Sequence, residues 1–369
     1  MNDNTEVVKT KRERALDHKC PNCQAPIHFN PTVGKWKCEY CDSEFALEEM
    51  QKYNNASSEA NNVEEVSEEA ITSDSTTYVT YRCKSCGAEV VADEQTASTF
   101  CLYCGNTAIL KDKLSGEFKP DYIIPFKTDK SVAEKAFEGL SKGRPFMPKD
   151  FNSKKNIEKI KGVYIPFWLY DFKVDGELNL EADKVCTTST ANMTYIKTDH
   201  YKLYRTATIN FVKVPVDGST RFNNDIMNSI EPFNYDELVN YNHAYLSGFL
   251  SERYDIDGDE TSKEAQERAL ASSRNKIFND VTGFSSVAVV EDSLQAEITN
   301  KKYALLPVWM VNVKYKDKYY LFAMNGQTGE FIGDIPLDKS KVIIWSIASF
   351  VIVFIIVVII SYILYMMGA

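Results

Sequence analysis

Eight of the nine cysteines in this chain fall into four Cys-x-x-Cys pairs: Cys20/Cys23, Cys38/Cys41, Cys83/Cys86 and Cys101/Cys104. The pairs form two sets with the same fourteen-residue gap inside each, so one metal-binding unit is repeated. Each pair presents two thiolates from a tight turn, and two pairs closing on one ion give the four-coordinate sulfur site that zinc favours in structural positions. The pattern predicts two structural Zn2+ ions, one held by Cys20, Cys23, Cys38 and Cys41 and one by Cys83, Cys86, Cys101 and Cys104. Four thiolates leave no open position for an activated water. The metal's work is then folding, with roughly 10–16 kcal/mol of apparent binding energy in small zinc peptides.

Two other uses of cysteine compete with this one. A disulfide framework suits a secreted chain, yet Met1 to Arg14 is polar and charged, without an apolar signal region. A redox pair needs one Cys-x-x-Cys opening a helix after a strand, whereas four recur here at fixed offsets among turn-forming residues. His18 lies close to Cys20 but is superfluous where four thiolates suffice, and Cys186 reads as a plain small residue. The units share Ala25/Ala88 and Tyr40/Tyr103. Gly87 and Gly105 follow the pairs of the second unit, where a missing Cβ eases the turn, and Gln24 and Asp42 hold those places in the first.

Motifs for other chemistry are absent. No Gly-x-x-x-x-Gly-Lys-Ser/Thr loop exists to cradle a nucleotide phosphate, and no His-Glu-x-x-His, Gly-x-Ser-x-Gly or Gly-x-Gly-x-x-Gly occurs. His200 and His243 have no Ser or Cys nucleophile close in sequence. Asp255-Ile-Asp257-Gly-Asp259 resembles the start of a calcium loop, but its sixth position is Glu260 and its twelfth Gln266, so it reads as a turn feeding a helix. The chain is therefore expected not to be an enzyme.

The elements that must position the cysteines read as several units. Residues 1–47 hold the first ribbon and a basic arm; 48–77 form an acidic linker, flexible apart from a short helix around Val63–Ile71; 78–115 hold the second ribbon. Residues 118–338 read as a cytoplasmic α+β domain with a mostly antiparallel sheet, and 342–367 as one C-terminal transmembrane helix. From Val342 onward no charged residue occurs, Trp345, Tyr362 and Tyr365 sit at interfacial places, and Lys339 and Lys341 precede the span. By the positive-inside rule, and because thiols that hold zinc must stay reduced, the body is placed on the cytoplasmic side of a cell membrane crossed once. The fold class is thus multi-domain: two small β zinc ribbons, an α+β domain and a membrane helix.

Strands are expected at Tyr122–Phe126, Val163–Lys173, Tyr201–Val214, Ser286–Glu291, Tyr303–Tyr315, Tyr319–Met324 and Phe331–Ile335, with hairpin turns at Lys316-Asp317 and Asn325-Gly326. Helices are expected from Ser131, with Ser131 and Glu134 as a capping box, near Tyr235, and from Thr261 to about Asn279. Ile165–Val174 and Leu306–Tyr315 echo each other position by position, apolar on both faces, with Pro166 and Pro307 expected at strand starts or bulges. Asp171 and Asn312 occupy one register within the echo.

Tyr122-Ile-Ile-Pro-Phe126, Gly162-Val-Tyr-Ile-Pro-Phe-Trp-Leu-Tyr-Asp171, Tyr245-Leu-Ser-Gly-Phe-Leu250, Leu306-Pro-Val-Trp309 and Met324-Asn-Gly-Gln-Thr-Gly329, set between two ribbons and a terminal span, complete the pattern. In this order of elements the chain resembles a bacterial family of TFIIB-type zinc-ribbon membrane proteins encoded beside PspA in phage-shock operons, the YdjG-like proteins. The resemblance implies a second small membrane protein as companion, recruitment of PspA-like and SPFH-like proteins to the cytoplasmic face in envelope stress, and zinc on all eight paired cysteines. It supplies no catalytic residue. The alternative is a membrane-tethered nucleic-acid-binding regulator, with Lys9, Lys11, Arg12, Arg14 and Lys19 meeting phosphates and Phe29 and Trp36 stacking on bases. The net charge of -10 and the acidic linker disfavour nucleic acid.

Overall fold

The computed structural model describes residues 19–58, 96–100 and 118–366 apart from 141, 149–150, 152, 158, 191–192, 223 and 317. For 54–58, and for short strands within 9–16, 67–93 and 107–110, it describes the backbone alone. Cys83, Cys86, Cys101 and Cys104 lie outside the described residues.

The first ribbon is a three-stranded antiparallel sheet of His28–Asn30, Lys35–Lys37 and Glu44–Phe45, with Phe29 opposite Trp36 and Trp36 opposite Phe45. Helix α1, Leu47–Ser58, follows it. The acidic stretch therefore opens as a helix, since Glu49 accepts from the Ala46 amide (2.8 Å) and Met50 is wholly buried. Within 63–71, where a short helix was expected, Ser67–Glu69 is a strand antiparallel to Lys9–Lys11, in a register that sets Glu69 opposite Lys9. Alternating acidic and polar residues there offer a helix no apolar stripe to bury.

The body is a mixed sheet with helices against it. Its elements are α2, Lys130–Gly139; β1, Lys161–Ser189; β2, Thr194–Asp217; α3, Gly258–Asn279; β3, Gln295–Tyr315; β4, Lys318–Asn325; and β5, Phe331–Gly333. β3, β4 and β5 form an antiparallel meander, and the β3–β4 turn places Lys316 at a positive φ of 54°. Among the described pairings only Tyr122–Ile123 with β3 and Leu250–Glu252 with β1 are parallel. Aspartates cap both long helices. Asp129 accepts from Val132 N (3.0 Å), and Asp257 accepts from Asp259 N (2.7 Å). The Ser131/Glu134 box is thus replaced by a carboxylate, the stronger acceptor at a positive helix end, and Ser131 donates to it (2.7 Å). The helix expected from Thr261 starts three residues earlier for the same reason, and the calcium-like aspartate Asp257 is its cap.

β1 and β3 form the centre, with Ile165 directly opposite Leu306. Strand alternation sends Ile165, Phe167, Leu306 and Val308 into one apolar cluster and Tyr164, Trp168, Leu305 and Trp309 into another. The echoing segments are therefore neighbours related by a local pseudo-twofold axis. The relation extends outward: Phe167 pairs with Asp217 as Val308 pairs with Asn325. The Pro166 carbonyl accepts from Gly218 N (2.9 Å) as that of Pro307 accepts from Gly326 N (2.9 Å). Trp168 Nε1 donates to Ile256 O (2.9 Å), just before the α3 cap, as Trp309 Nε1 donates to Thr128 O (3.2 Å), just before the α2 cap. The two prolines stand inside strands rather than at starts or bulges. Each occupies the gap where the neighbouring strand changes, from Leu250–Glu252 to β2 for Pro166 and from Tyr122–Ile123 to β4 for Pro307, so no ladder donor is lost.

The β1–β2 hairpin is far longer than the expected strands, paired from Phe167↔Asp217 to Ser189↔Thr194. Past Asp183, the last β1 residue paired with Ser286–Asp292, it runs on as a two-stranded arm. At the other end of the chain, helix α4 spans Lys339–Met366, and its Lys339–Ile363 stretch is long and apolar enough to cross a membrane. Its foot is held to the body: Asp338 N donates to Phe146 O (2.8 Å), Lys341 Nζ donates to Met147 O (2.6 Å), and the Phe146 and Trp345 rings meet at 6.2 Å.

Candidate metal centre

Two turns bring the first four cysteines together. Cys20 N donates to Ala25 O (2.7 Å) and Gln24 N to Cys20 O (2.9 Å), while Cys38 N donates to Ser43 O (3.0 Å). Gln24 and Asp42 close these turns at φ of 64° and 55°, the left-handed conformation that glycine takes without cost. The Sγ atoms of Cys20, Cys23, Cys38 and Cys41 all lie within 4.8 Å of one another. Cys20 and Cys41 are 3.6 Å apart and Cys23 and Cys38 3.5 Å. A tetrahedron with metal–sulfur bonds of about 2.3 Å has edges of about 3.8 Å, so the donor set fits a four-thiolate site of the kind zinc favours.

The thiols are electrostatically dependent on one another. Hydrogen bonding to Ser43 brings Cys41 down to about 6. Cys23, despite a backbone hydrogen bond from Ala25 that favours its thiolate, is pushed up to about 12 by desolvation and the three thiols around it. Four negative sulfurs cannot gather here without a cation to offset them, which is what a bound divalent metal supplies.

The centre is seated on the body. Trp36, 1% exposed, donates through Nε1 to Ala244 O (3.0 Å), and its ring meets Phe29 at 4.9 Å and Tyr245 at 5.3 Å. Ser247 Oγ donates to Ile27 O (2.6 Å), and Phe29 N to Ser247 O (3.2 Å). Phe29 and Trp36 are therefore not platforms for bases, because their faces are spent on the body. That seat lies about two hundred residues away in sequence, where no local signal could reveal it.

Other residues considered for chemistry are placed apart. His200 is bonded to Asp183 (2.7 Å) on the exposed arm, and Ser286 donates to the same carboxylate (3.1 Å) rather than to the imidazole. Exposed His200 and Ser286 each hold Asp183's charged form, so its carboxyl stays below the usual range. His243 is bonded to Tyr241 OH (2.8 Å). Asp171 accepts from the Lys213 amide (2.7 Å) and from Asn300 (3.0 Å), fixing the bulges in β2 and β3 that face it, whereas Asn312 faces solvent. These two do not form a common site. A cleft of about 510 Å³ between ribbon and body is lined by His28, Asp129, Lys130, Lys161, Phe249 and Trp309.

No family model matches the chain, and no solved structure does. The uncharacterized protein YdjG of Bacillus subtilis (strain 168) is 31% identical over 330 residues, covering 89% of this chain and 93% of that protein. The chain belongs to the YdjG family. The match spans most of both chains, so the shared unit is the long chain rather than a single cysteine module.

Proposed function

We propose that this member of the YdjG family is a membrane-anchored zinc-ribbon adaptor with several structural units. Two Zn2+ ions hold two ribbons in shape on all eight paired cysteines. α4 anchors the chain in the cell membrane with the body on the cytoplasmic side, a reading supported by Lys339 and Lys341 at the body end of the apolar run. There the body gathers PspA-like and SPFH-like proteins, beside a second small membrane protein, during envelope stress.

One observation carries the reading: a closed four-cysteine centre is fastened to a body whose far end runs straight into an apolar helix. A site with no open coordination position serves shape rather than turnover, and shape held at a membrane serves contacts. Tagged protein isolated from stressed membranes in mild detergent should retain PspA-like or SPFH-like partners, and Cys20→Ser/Cys23→Ser should release them. Isolation without partners, or partners that stay bound after metal loss, would overturn the proposal.

A further inference from the structure

The chain as a whole carries 52 acids against 42 Lys and Arg, yet the residues around the foot of α4 reverse that balance. In sequence, segments 142–159, 314–318 and 338–341 together hold eleven cations and four acids, of which Lys149, Asp150, Glu158 and Asp317 lie outside the described residues. They are distant in sequence and joined by packing. Phe146 and Met147 bond the start of α4, as described above. Phe151, five residues on, is 1% exposed and meets the rings of Tyr315 (6.2 Å) and Tyr320 (5.8 Å), which flank the β3–β4 turn. Lys142, Arg144, Lys316, Lys318 and Lys339 are exposed. Among the described residues, the Arg144 guanidinium donates to a backbone carbonyl, that of Leu140 (3.3 Å).

A cationic collar at the point where a helix enters a bilayer faces lipid headgroups. We infer that this collar binds anionic phospholipids of the membrane that α4 enters, with Lys142, Arg144, Lys316 and Lys318 meeting the phosphates and Phe146 and Trp345 lying at the headgroup level. Charge complementarity and continuity with the apolar helix select this occupant: an acidic bilayer surface attracts juxtamembrane cations, each strengthening binding about fivefold. The inference rests on α4 spanning a membrane, and not on the protein partners proposed above.

The full chain in mild detergent, titrated with phosphatidylglycerol or phosphatidylcholine and followed by native mass spectrometry, tests it. Wild-type protein should hold phosphatidylglycerol at least tenfold more tightly than phosphatidylcholine. The quadruple variant Lys142→Gln/Arg144→Gln/Lys316→Gln/Lys318→Gln should lose that preference, while Lys35→Gln/Lys184→Gln/Lys202→Gln/Lys263→Gln keeps it. Equal retention of the two lipids by wild type, or equal loss in both variants, would overturn the inference. Should the first variant fold poorly, wild-type binding decides alone, because it must weaken severalfold between low and high ammonium acetate. Extraction of the wild-type chain from membranes by alkaline carbonate would instead remove the span itself, whatever the lipid result.

Discussion

Trp36 and Ala244 are joined by a hydrogen bond of 3.0 Å from the indole Nε1 to the backbone carbonyl, across 208 residues of sequence. This bond, with the Phe29–Trp36–Tyr245 ring cluster, makes the first metal centre part of the body's packing. Trp36→Phe keeps most of the ring and removes the donor, leaving Ala244 O without its partner in a buried place. Stability should fall by about 1–2 kcal/mol, and amide exchange should quicken at 243–249. Unchanged exchange there would show that the seat is not held by this bond.

Metal removal should travel along the same path. A chelator strong enough to strip zinc should unfold 19–46 and also raise exchange around Ala244 and Ser247, since Ser247 Oγ bonds Ile27 O within the ribbon. Elemental analysis should give two zinc ions per chain, and one after Cys20→Ser/Cys23→Ser. A wild-type count of zero would end the zinc reading.

Gln24 and Asp42 hold left-handed turns that a Cβ makes costly. Asp42→Gly should stabilise the ribbon by up to about 1 kcal/mol, read as a higher melting temperature. Gln24→Gly should gain less, because Gln24 Oε1 accepts from Tyr53 OH (2.9 Å) and that bond is lost.

The pseudo-twofold axis sets Asp217 where its mate is Asn325. Asn325 is fully bonded, accepting from Gln327 N (2.9 Å) and donating to Ile230 O (3.0 Å), whereas Asp217 is 2% exposed and neither carboxylate oxygen has a hydrogen-bond partner among the described residues. Burial, with the nearby Glu264 charge, pushes Asp217 up to about 6. An acid whose folded value lies above its unfolded value of about 3.9 adds stability that is complete below the unfolded value and lost as pH rises through the folded one. At pH 7.5 the ionised group then costs about 3 kcal/mol. Asp217→Asn should raise the melting temperature at pH 7.5, leave it nearly unchanged at pH 4, and flatten the profile between pH 4 and 6. A variant that destabilises at pH 7.5 would show that Asp217 has a charge partner in solution.

Gly218 and Gly326 are also mates, and their surroundings differ. A Cβ on Gly326 would come within 2.7 Å of the Phe126 ring and 2.8 Å of Pro307 O, while on Gly218 it would meet Tyr254 Cβ at 3.1 Å. Gly326→Ala should cost about 2–3 kcal/mol and Gly218→Ala about 1 kcal/mol or less, compared by thermal melting of the two variants.

What the sequence disclosed follows the range of each interaction. The Cys-x-x-Cys turns, the meander turns and the continuous apolar runs of β1 and β3 are set by neighbours a few residues apart, so composition and spacing expose them. The helix starts at Asp129 and Asp257 were legible to within a turn, because a capping carboxylate and a nearby Ser or Thr look alike in sequence. The extension of β1 past Lys173 and into the arm escaped notice because its Asp, Glu, Lys and Thr residues facing water give little strand signal. Pro166 was misplaced because only the sheet shows that its neighbour strand changes there. The seat of Trp36 depended on a partner in the other half of the chain.

The contacts of Phe146, Met147, Asp338 and Lys341 have a consequence for how this protein meets others. With ribbon bonded to body and body bonded to the foot of α4, the described residues join the first metal centre to the helix through direct contacts. Under the anchoring proposed above, encounters would be governed by diffusion in the plane of the bilayer and by rotation about its normal. A partner of the proposed kind would have to arrive at the height and facing angle that this frame dictates, so crowding and membrane curvature, rather than linker length, would set the rate at which complexes form.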